Sequence, residues 1–464
     1  MSIRSSTSCL LIVFLTSIAF GDGVTLPAAE RVVLDNGAVL ILNENHDVPL
    51  IGLRAIVRGG AVADPVGKHG LTALLADLLQ KGAGERSSAD FAEAIASVGG
   101  KLGVAVGLES IAVSASFMAK DATLMVELVS DMLLTPLLDP REFSTLRDRS
   151  INLIKAAKGS NPGQLMPSYA NAFLFGNHPY GNPVGGSESS LARITHGDLI
   201  AYYANMIGSD RLIVSVSGDF EVPAMKEALT AAFGNWRPAM EPLQELEVPL
   251  SADSSRVFLI DKPGATQTYF YIGNVGVARS FSGRAELDLA NTVFGGRFTS
   301  MLVTELRTKS GLSYSASSRL SRNAQPGSVF INSFTETSTT TAALDVALAT
   351  LNRLRDSGLD EAMIASSRNY VMGQFPTRFE TAGQLAGHFA SLEANGLDSS
   401  YINDYSDSLS SATVESIAAV IDVVYPGPDE LVFIILGDAE LIREQVASYG
   451  PITEISLSGT RFHP

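Results

Sequence analysis

Asp210-Arg-Leu-Ile-Val-Ser-Val-Ser-Gly-Asp219 and Asp429-Glu-Leu-Val-Phe-Ile-Ile-Leu-Gly-Asp438 share one pattern: an acidic start, a strand-forming run and a Gly-Asp close. Largely apolar runs of this kind predict strands buried on two sides. Each follows a helical stretch, 198–206 in one case and 414–424 in the other, and each precedes another helix. The Gly-Asp pairs stand 219 residues apart in a chain of 464, which predicts two homologous halves, 28–237 and 254–460. Arg31-Val-Val-Leu and Arg256-Val-Phe-Leu open the two halves with a strand. Between them, the prolines and glutamates of 238–253 mark a linker.

Strands and helices mix within a half without regular βαβ alternation. Residues 39–42 and 50–57 read as a strand pair, followed by helices over 70–81 and 88–98, the second with Ser88 as its N-cap. Residues 102–106 and 110–117 form a hairpin around Gly107, ahead of helices near 121–134 and 140–158. This clustering predicts an α+β class: each half has two layers, an antiparallel-rich sheet with helices on one face, and the halves close as a clamshell around a cavity.

The 33 basic and 49 acidic residues leave a charge of −16, which repels phosphate backbones and argues against nucleic acid as a partner. Arg4, the apolar run Cys9 to Phe20 and the small residues at 21–23 have the order of a secretory signal, so 1–21 is expected to be removed. The run is too short to span a bilayer comfortably, and Cys9 is not placed to carry a lipid, so no stable membrane anchor is expected. The remaining chain has no cysteine, hence no disulfide and no thiolate site. An exported chain without disulfides fits a bacterial periplasm.

The chemistry is sought first in helix 70–81. Leu71, Leu74, Leu75, Leu78 and Leu79 form one apolar stripe, with Ala73, Ala76, Asp77 and Gln80 opposite, an ordinary amphipathic pattern. His46, His69, His178, His196, His388 and His463 contain no pair at i, i+3 or i+4, so no helical face offers two imidazoles. Neither a phosphate loop nor a G-x-S-x-G elbow is present.

Gly70-Leu-Thr-Ala-Leu-Leu-Ala-Asp-Leu-Leu-Gln-Lys-Gly82 resembles the helix bearing the inverted zinc motif H-x-x-E-H of pitrilysin/insulinase-type metallopeptidases, the group that includes the mitochondrial processing peptidase and small bacterial relatives. The resemblance places Ala73 and Asp77 at the two histidine positions and Ala76 at the glutamate. It also implies a further glutamate ligand on a later helix, where Arg149-Ser-Ile-Asn-Leu-Ile-Lys155 has no carboxylate. Asn177-His-Pro-Tyr-Gly-Asn-Pro-Val-Gly-Gly-Ser and Gly218-Asp219 are similar to the family's first-half landmarks, and Gly99 to Gly107 resembles its substrate-docking strand.

In the second half, Phe294-Gly-Gly-Arg-Phe-Thr-Ser-Met-Leu-Val-Thr-Glu-Leu-Arg307-Thr-Lys-Ser-Gly-Leu-Ser-Tyr314 predicts a helix near 298–309, a break at Gly311 and then a strand. It resembles the family segment whose Arg and Tyr, seven residues apart, bind substrate backbone; Arg307 and Tyr314 match that spacing and are expected to point into the cavity between the halves. Both side chains can donate to a carbonyl oxygen gaining negative charge. A lost zinc motif beside a retained Arg/Tyr pair is similar to the non-catalytic chain of two-chain bacterial members. That resemblance implies a homologous partner carrying the zinc, and a peptide or unfolded segment as substrate. The alternative is a pseudo-peptidase scaffold or binding protein with no part in proteolysis.

Overall fold

Every residue of Leu212–Gly218 is buried, which a strand achieves only inside a sheet covered on both faces. The computed structural model describes residues 23–464 and places this strand so; the expected signal segment lies outside the described residues. The first sheet is built from β1 (Glu30–Val33), β2 (Val39–Glu44), β3 (Leu50–Arg58), β4 (Lys101–Val106), β5 (Ser110–Met118) and β6 (Leu212–Gly218), in the order β1-β2-β6-β3-β5-β4. The second comprises β7 (Arg256–Asp261), β8 (Gln267–Val275), β9 (Ala316–Leu320), β10 (Ser328–Glu336), β11 (Val432–Gly437) and β12 (Ile452–Ser456), in the order β12-β7-β11-β8-β10-β9. The two repeat strands, β6 and β11, occupy the same place in their sheets, and most ladders are antiparallel. The α+β class and the two homologous halves therefore hold.

Three local expectations change. Strands β2 and β3 do not pair, because β6 enters between them, parallel to β2 and antiparallel to β3. A short apolar strand from far down the chain takes the interior position that its two buried faces require. The opening strands at Arg31 and Arg256 are not equivalents either. Strand β7 matches β2, whereas the edge filled by β1 in the first sheet is filled in the second by β12 from the chain's end. Finally, Ser87 rather than Ser88 caps α2 (Ser88–Ser97), exchanging bonds with Asp90 in a capping box.

Helices do not lie on one face of each sheet alone. On one face of the first sheet, α1 (Leu71–Leu79) and α3 (Ala122–Leu134) cover Leu40, Leu53, Ala55 and Val113. On the other face, Val39, Ile41, Ile56 and Ile213 join the core of the second half, where the Ala382–Ala394 helix contributes Phe389 and Ala390. The exchange is reciprocal. Helix α5 (Met166–Phe175) of the first half packs Met166, Tyr169 and Ala170 onto Phe258, Ile260, Ile434 and Leu436 of the second sheet, and Phe173 stacks on Phe258 at 4.6 Å. Burying each such side chain is worth about 1.5–3 kcal/mol, so the halves hold one another through apolar contact and not through the linker.

The 177–186 landmark is explained by the same junction. Tyr180 donates its hydroxyl to Glu109 at the β4–β5 turn, while Ala324 and Gln325 of the second half donate backbone N–H groups to Glu109 and to the Tyr180 oxygen.

Candidate functional site

Helix α1 starts without a capping side chain of its own. Gly70 takes a left-handed φ of 96°, and a Cβ there would meet Gly186 Cα at 2.8 Å. The orphan N–H groups are satisfied from the loop before it. Buried Asp64 accepts from Gly70 N at 2.7 Å, Thr72 N at 2.8 Å and the Thr72 hydroxyl at 2.6 Å. Burial outweighs these bonds and pushes the Asp64 carboxyl up to about 6.

The helix thus fixed buries its five leucines as expected, but Ala76 is buried too, because the opposite stripe packs against α4 (Pro140–Ser160). Asp77 opens into a hollow of about 290 Å3 lined also by Gln80, Lys81, Leu146, Arg149, Ser150 and Leu153. Partial desolvation raises the Asp77 carboxyl, and the charges of Arg149 and Lys81 pull it back down. Zinc needs three or four imidazole, thiolate or carboxylate donors. Here two alanines offer none, the facing helix presents Arg149 and Leu153, and two cations flank the one carboxylate. The residues present do not fit the metal. Among the described residues no group of three or more His, Cys, Asp and Glu side chains is arranged to hold one.

The histidines are engaged elsewhere. His46 bonds Asp219 and Glu44, His178 accepts from Tyr180 N, His196 meets the Leu138 carbonyl and His388 stacks on Phe379. His69 and His463, 394 residues apart, line one cavity, an approach that no local spacing announces.

The segment 292–314 differs from one helix over 298–309. Two π-helical turns, Thr292–Gly296 and Thr304–Lys309, flank the short helix Met301–Val303, and Gly311, at φ 66°, ends the run. Tyr314 lies in the bend before β9 and not in a strand. The two candidates are nevertheless together: the Arg307 guanidinium lies 4.4 Å from the Tyr314 ring centroid. It also lies 4.8 Å from the ring of Phe298, a member that spacing alone did not single out. Both rings are open to solvent, Phe298 at 71% and Tyr314 at 74% exposure. Neighbouring Glu305 is taken by Lys309 and Arg353, and Arg307 has no ion pair among the described residues. Cation–π contact with two rings orients the guanidinium while leaving N–H groups available to an acceptor.

The halves meet around a cleft of about 840 Å3, between β3, β4 and β5 on one side and the Ala382–Ala394 helix on the other. Edge strand β4, the strand similar to the docking strand, lies along it through Lys101, Leu102 and Gly103. Against expectation, Arg307 and Tyr314 do not line this cleft between the halves; Tyr314 is exposed and Arg307 is half-buried beside it.

Comparison with known proteins agrees with this architecture. Residues 39–188 match the family described as insulinase, peptidase family M16, and residues 193–371 match the peptidase M16 inactive domain. The chain is 25% identical over 357 residues to an uncharacterized zinc protease of Streptomyces coelicolor, covering 76% of this chain and 77% of that one. It is 23% identical over 349 residues to a Helicobacter pylori protein named non-peptidase homolog YmxG, covering 74% and 78%. The crystal structure of a peptidase M16 inactive domain from Pseudomonas fluorescens superposes with a TM-score of 0.81 at 20% identity, over 88% of this chain and 98% of that one.

Proposed function

Because the chain belongs to the M16, or insulinase, family of peptidases and shows no donor set for zinc among the described residues, we propose that it is the non-catalytic subunit of an exported heteromeric zinc endopeptidase. In this reading a homologous partner carries the intact H-x-x-E-H motif and the zinc. This chain, with its halves divided at 238–253, supplies Arg307 and Tyr314 to a peptide or unfolded segment held extended between the two subunits. The signal-like segment 1–21 supports export, with the periplasm as destination. Among the described residues no helix is long and apolar enough to cross a membrane.

The observation that carries the reading is the guanidinium of Arg307, in contact with two exposed rings and without a carboxylate partner among the described residues. A partner closing over this surface would exclude water there, and the two donors would stabilise the oxyanion that develops at the scissile carbonyl. The second reading, a scaffold with no role in proteolysis, is favoured by the name of the Helicobacter relative.

The test is co-expression with an M16 homologue that has an intact motif and is encoded in the same genome. The expected result is a complex on gel filtration that hydrolyses unfolded peptides faster than the homologue alone. A complex that forms without gain in turnover selects the scaffold reading, and absence of any complex removes the subunit proposal.

A further inference from the structure

A second cavity, of about 800 Å3, lies away from Arg307, where the loop before α1, the 172–193 segment and the tail 461–464 come together. Its volume is within the range of small-ligand sites, ~300–1,000 Å3. Three arginines line it: Arg193, Arg256 and Arg461. Among the described residues none of these three forms an ion pair with an acidic side chain.

The arginines are placed by the fold. Arg256, on the first residue of β7, lies 5.0 Å over the Phe173 ring and donates to the Phe173 and Leu174 carbonyls, while its Nε is buried without a partner. Arg193 reaches over Gly67, where a Cβ would meet its Nη1 at 3.6 Å. His69 also lines the cavity, and its Nδ1 is buried without a partner. The one acidic side chain in the lining, Asp64, is committed to the start of α1. Phe173 and Phe462 provide apolar wall, and exposed Pro464 lies on the rim.

Three cations lining one cavity beside aromatic rings fit an anion attached to an apolar group. We propose that this cavity binds the free C-terminal carboxylate of a short peptide, with its last side chain apolar and set against Phe173 and Phe462. The carboxylate is held by the planar forks of the arginines, which match its geometry. This site is independent of Arg307 and of any partner chain.

The test is isothermal titration of the chain without residues 1–21, at low salt, with Ala-Ala-Phe, its C-terminal amide and inorganic phosphate as probes. Loss of the carboxylate's charge-assisted bonds is expected to weaken the amide by about tenfold or more relative to the acid. Arg193 and Arg461 are exposed, so Arg193→Gln/Arg461→Gln should fold normally, with an unchanged melting temperature, and lose about as much affinity for Ala-Ala-Phe. The Arg193→Lys/Arg461→Lys variant keeps the charge and should retain part of the binding. Equal binding of acid and amide, or no binding at millimolar peptide, overturns the proposal. So does a double Gln variant that binds like the wild type. Phosphate that binds as tightly as Ala-Ala-Phe and competes with it makes this a plain oxyanion site and overturns the peptide assignment.

Discussion

A Cβ added to Gly52, on β3 of the first half, would lie 2.3 Å from the backbone nitrogen of Gly383, near the start of the Ala382–Ala394 helix of the second. The pseudo-equivalent junction is built differently. Gly52 pairs with Ser217 and Tyr269 pairs with Leu436, each partner standing just before its Gly-Asp, so Tyr269 is the counterpart of Gly52. There the helix side supplies the space: a Cβ on Gly163 would meet the Tyr269 ring at 2.5 Å. The two exchanged-helix contacts are thus a glycine against a glycine and a tyrosine against a glycine.

This contact makes a directional prediction. Gly52→Ala cannot be relieved by a side-chain rotation, because the obstacle is backbone, and overpacking of this kind typically costs about 1–3 kcal/mol. Gly383→Ala adds a methyl where nothing lies within 4 Å and removes a helix-disfavouring glycine, so it should be neutral or stabilise by up to about 1 kcal/mol. Chemical denaturation of both variants is the check. If Gly52→Ala is as stable as the parent, the helix does not seat on β3 as described.

The repeat, the class and most element positions were readable from sequence because they rest on local periodicity and on one strong strand pattern. The run 101–118 gave its hairpin, and 140–158 gave a helix that extends only to Ser160. The insertion of β6 between β2 and β3 was not readable, since nothing near Val39 or Leu50 reports a strand about 160 residues later. Nor was the helix exchange, because α5 and the Ala382–Ala394 helix are amphipathic in a way that does not name the sheet they cover. At the candidate site, Arg307 and Tyr314 were singled out by the resemblance of 294–314 to a family segment, and the structure shows them in contact. Phe298 joins them through the two widened turns, which shift the helical register in a manner no periodicity announces.

Asp64 makes stability depend on pH in the less common direction. Its folded-state value of about 6 exceeds the ordinary value of 3.8, so the folded chain holds a proton that the unfolded chain releases. This contribution is complete below about pH 4 and is lost as pH rises through 6, a change of about 3 kcal/mol at most. Other carboxylates titrate oppositely, so the measurement is a difference. The unfolding free energy of the parent minus that of Asp64→Asn should fall between pH 4 and pH 7 and then level off. A difference that rises with pH would show that the hydrogen bonds from Gly70 and Thr72 outweigh burial.

The hollow beside Asp77 makes a metal prediction. With Arg149 and Lys81 around a single carboxylate, the purified chain should hold no stoichiometric zinc and should not cleave peptides by itself. About one tightly held zinc per chain by elemental analysis, with hydrolysis abolished by a chelator, would falsify this.

The cluster of Arg307 with the exposed rings of Phe298 and Tyr314 is tested in the assembled enzyme. Tyr314→Phe deletes one hydroxyl and keeps the ring against Arg307, so it isolates hydrogen-bond donation to the substrate carbonyl. Donation that strengthens as the oxygen becomes anionic acts on turnover more than on KM, and losing one such donor typically costs on the order of 100-fold in kcat. Phe298→Leu removes one of the two ring contacts and no donor. It should leave the fold intact, since the ring is exposed, and lower turnover by a smaller factor of about 2–5, the worth of a cation–π contact at a solvent-accessible position. Arg307→Ala should cost at least as much as Tyr314→Phe. Subunit association, followed by gel filtration, should survive all three substitutions. If Tyr314→Phe and Arg307→Ala assemble and turn over at the parental rate, the pair serves the surface alone and the scaffold reading takes the place of the subunit proposal.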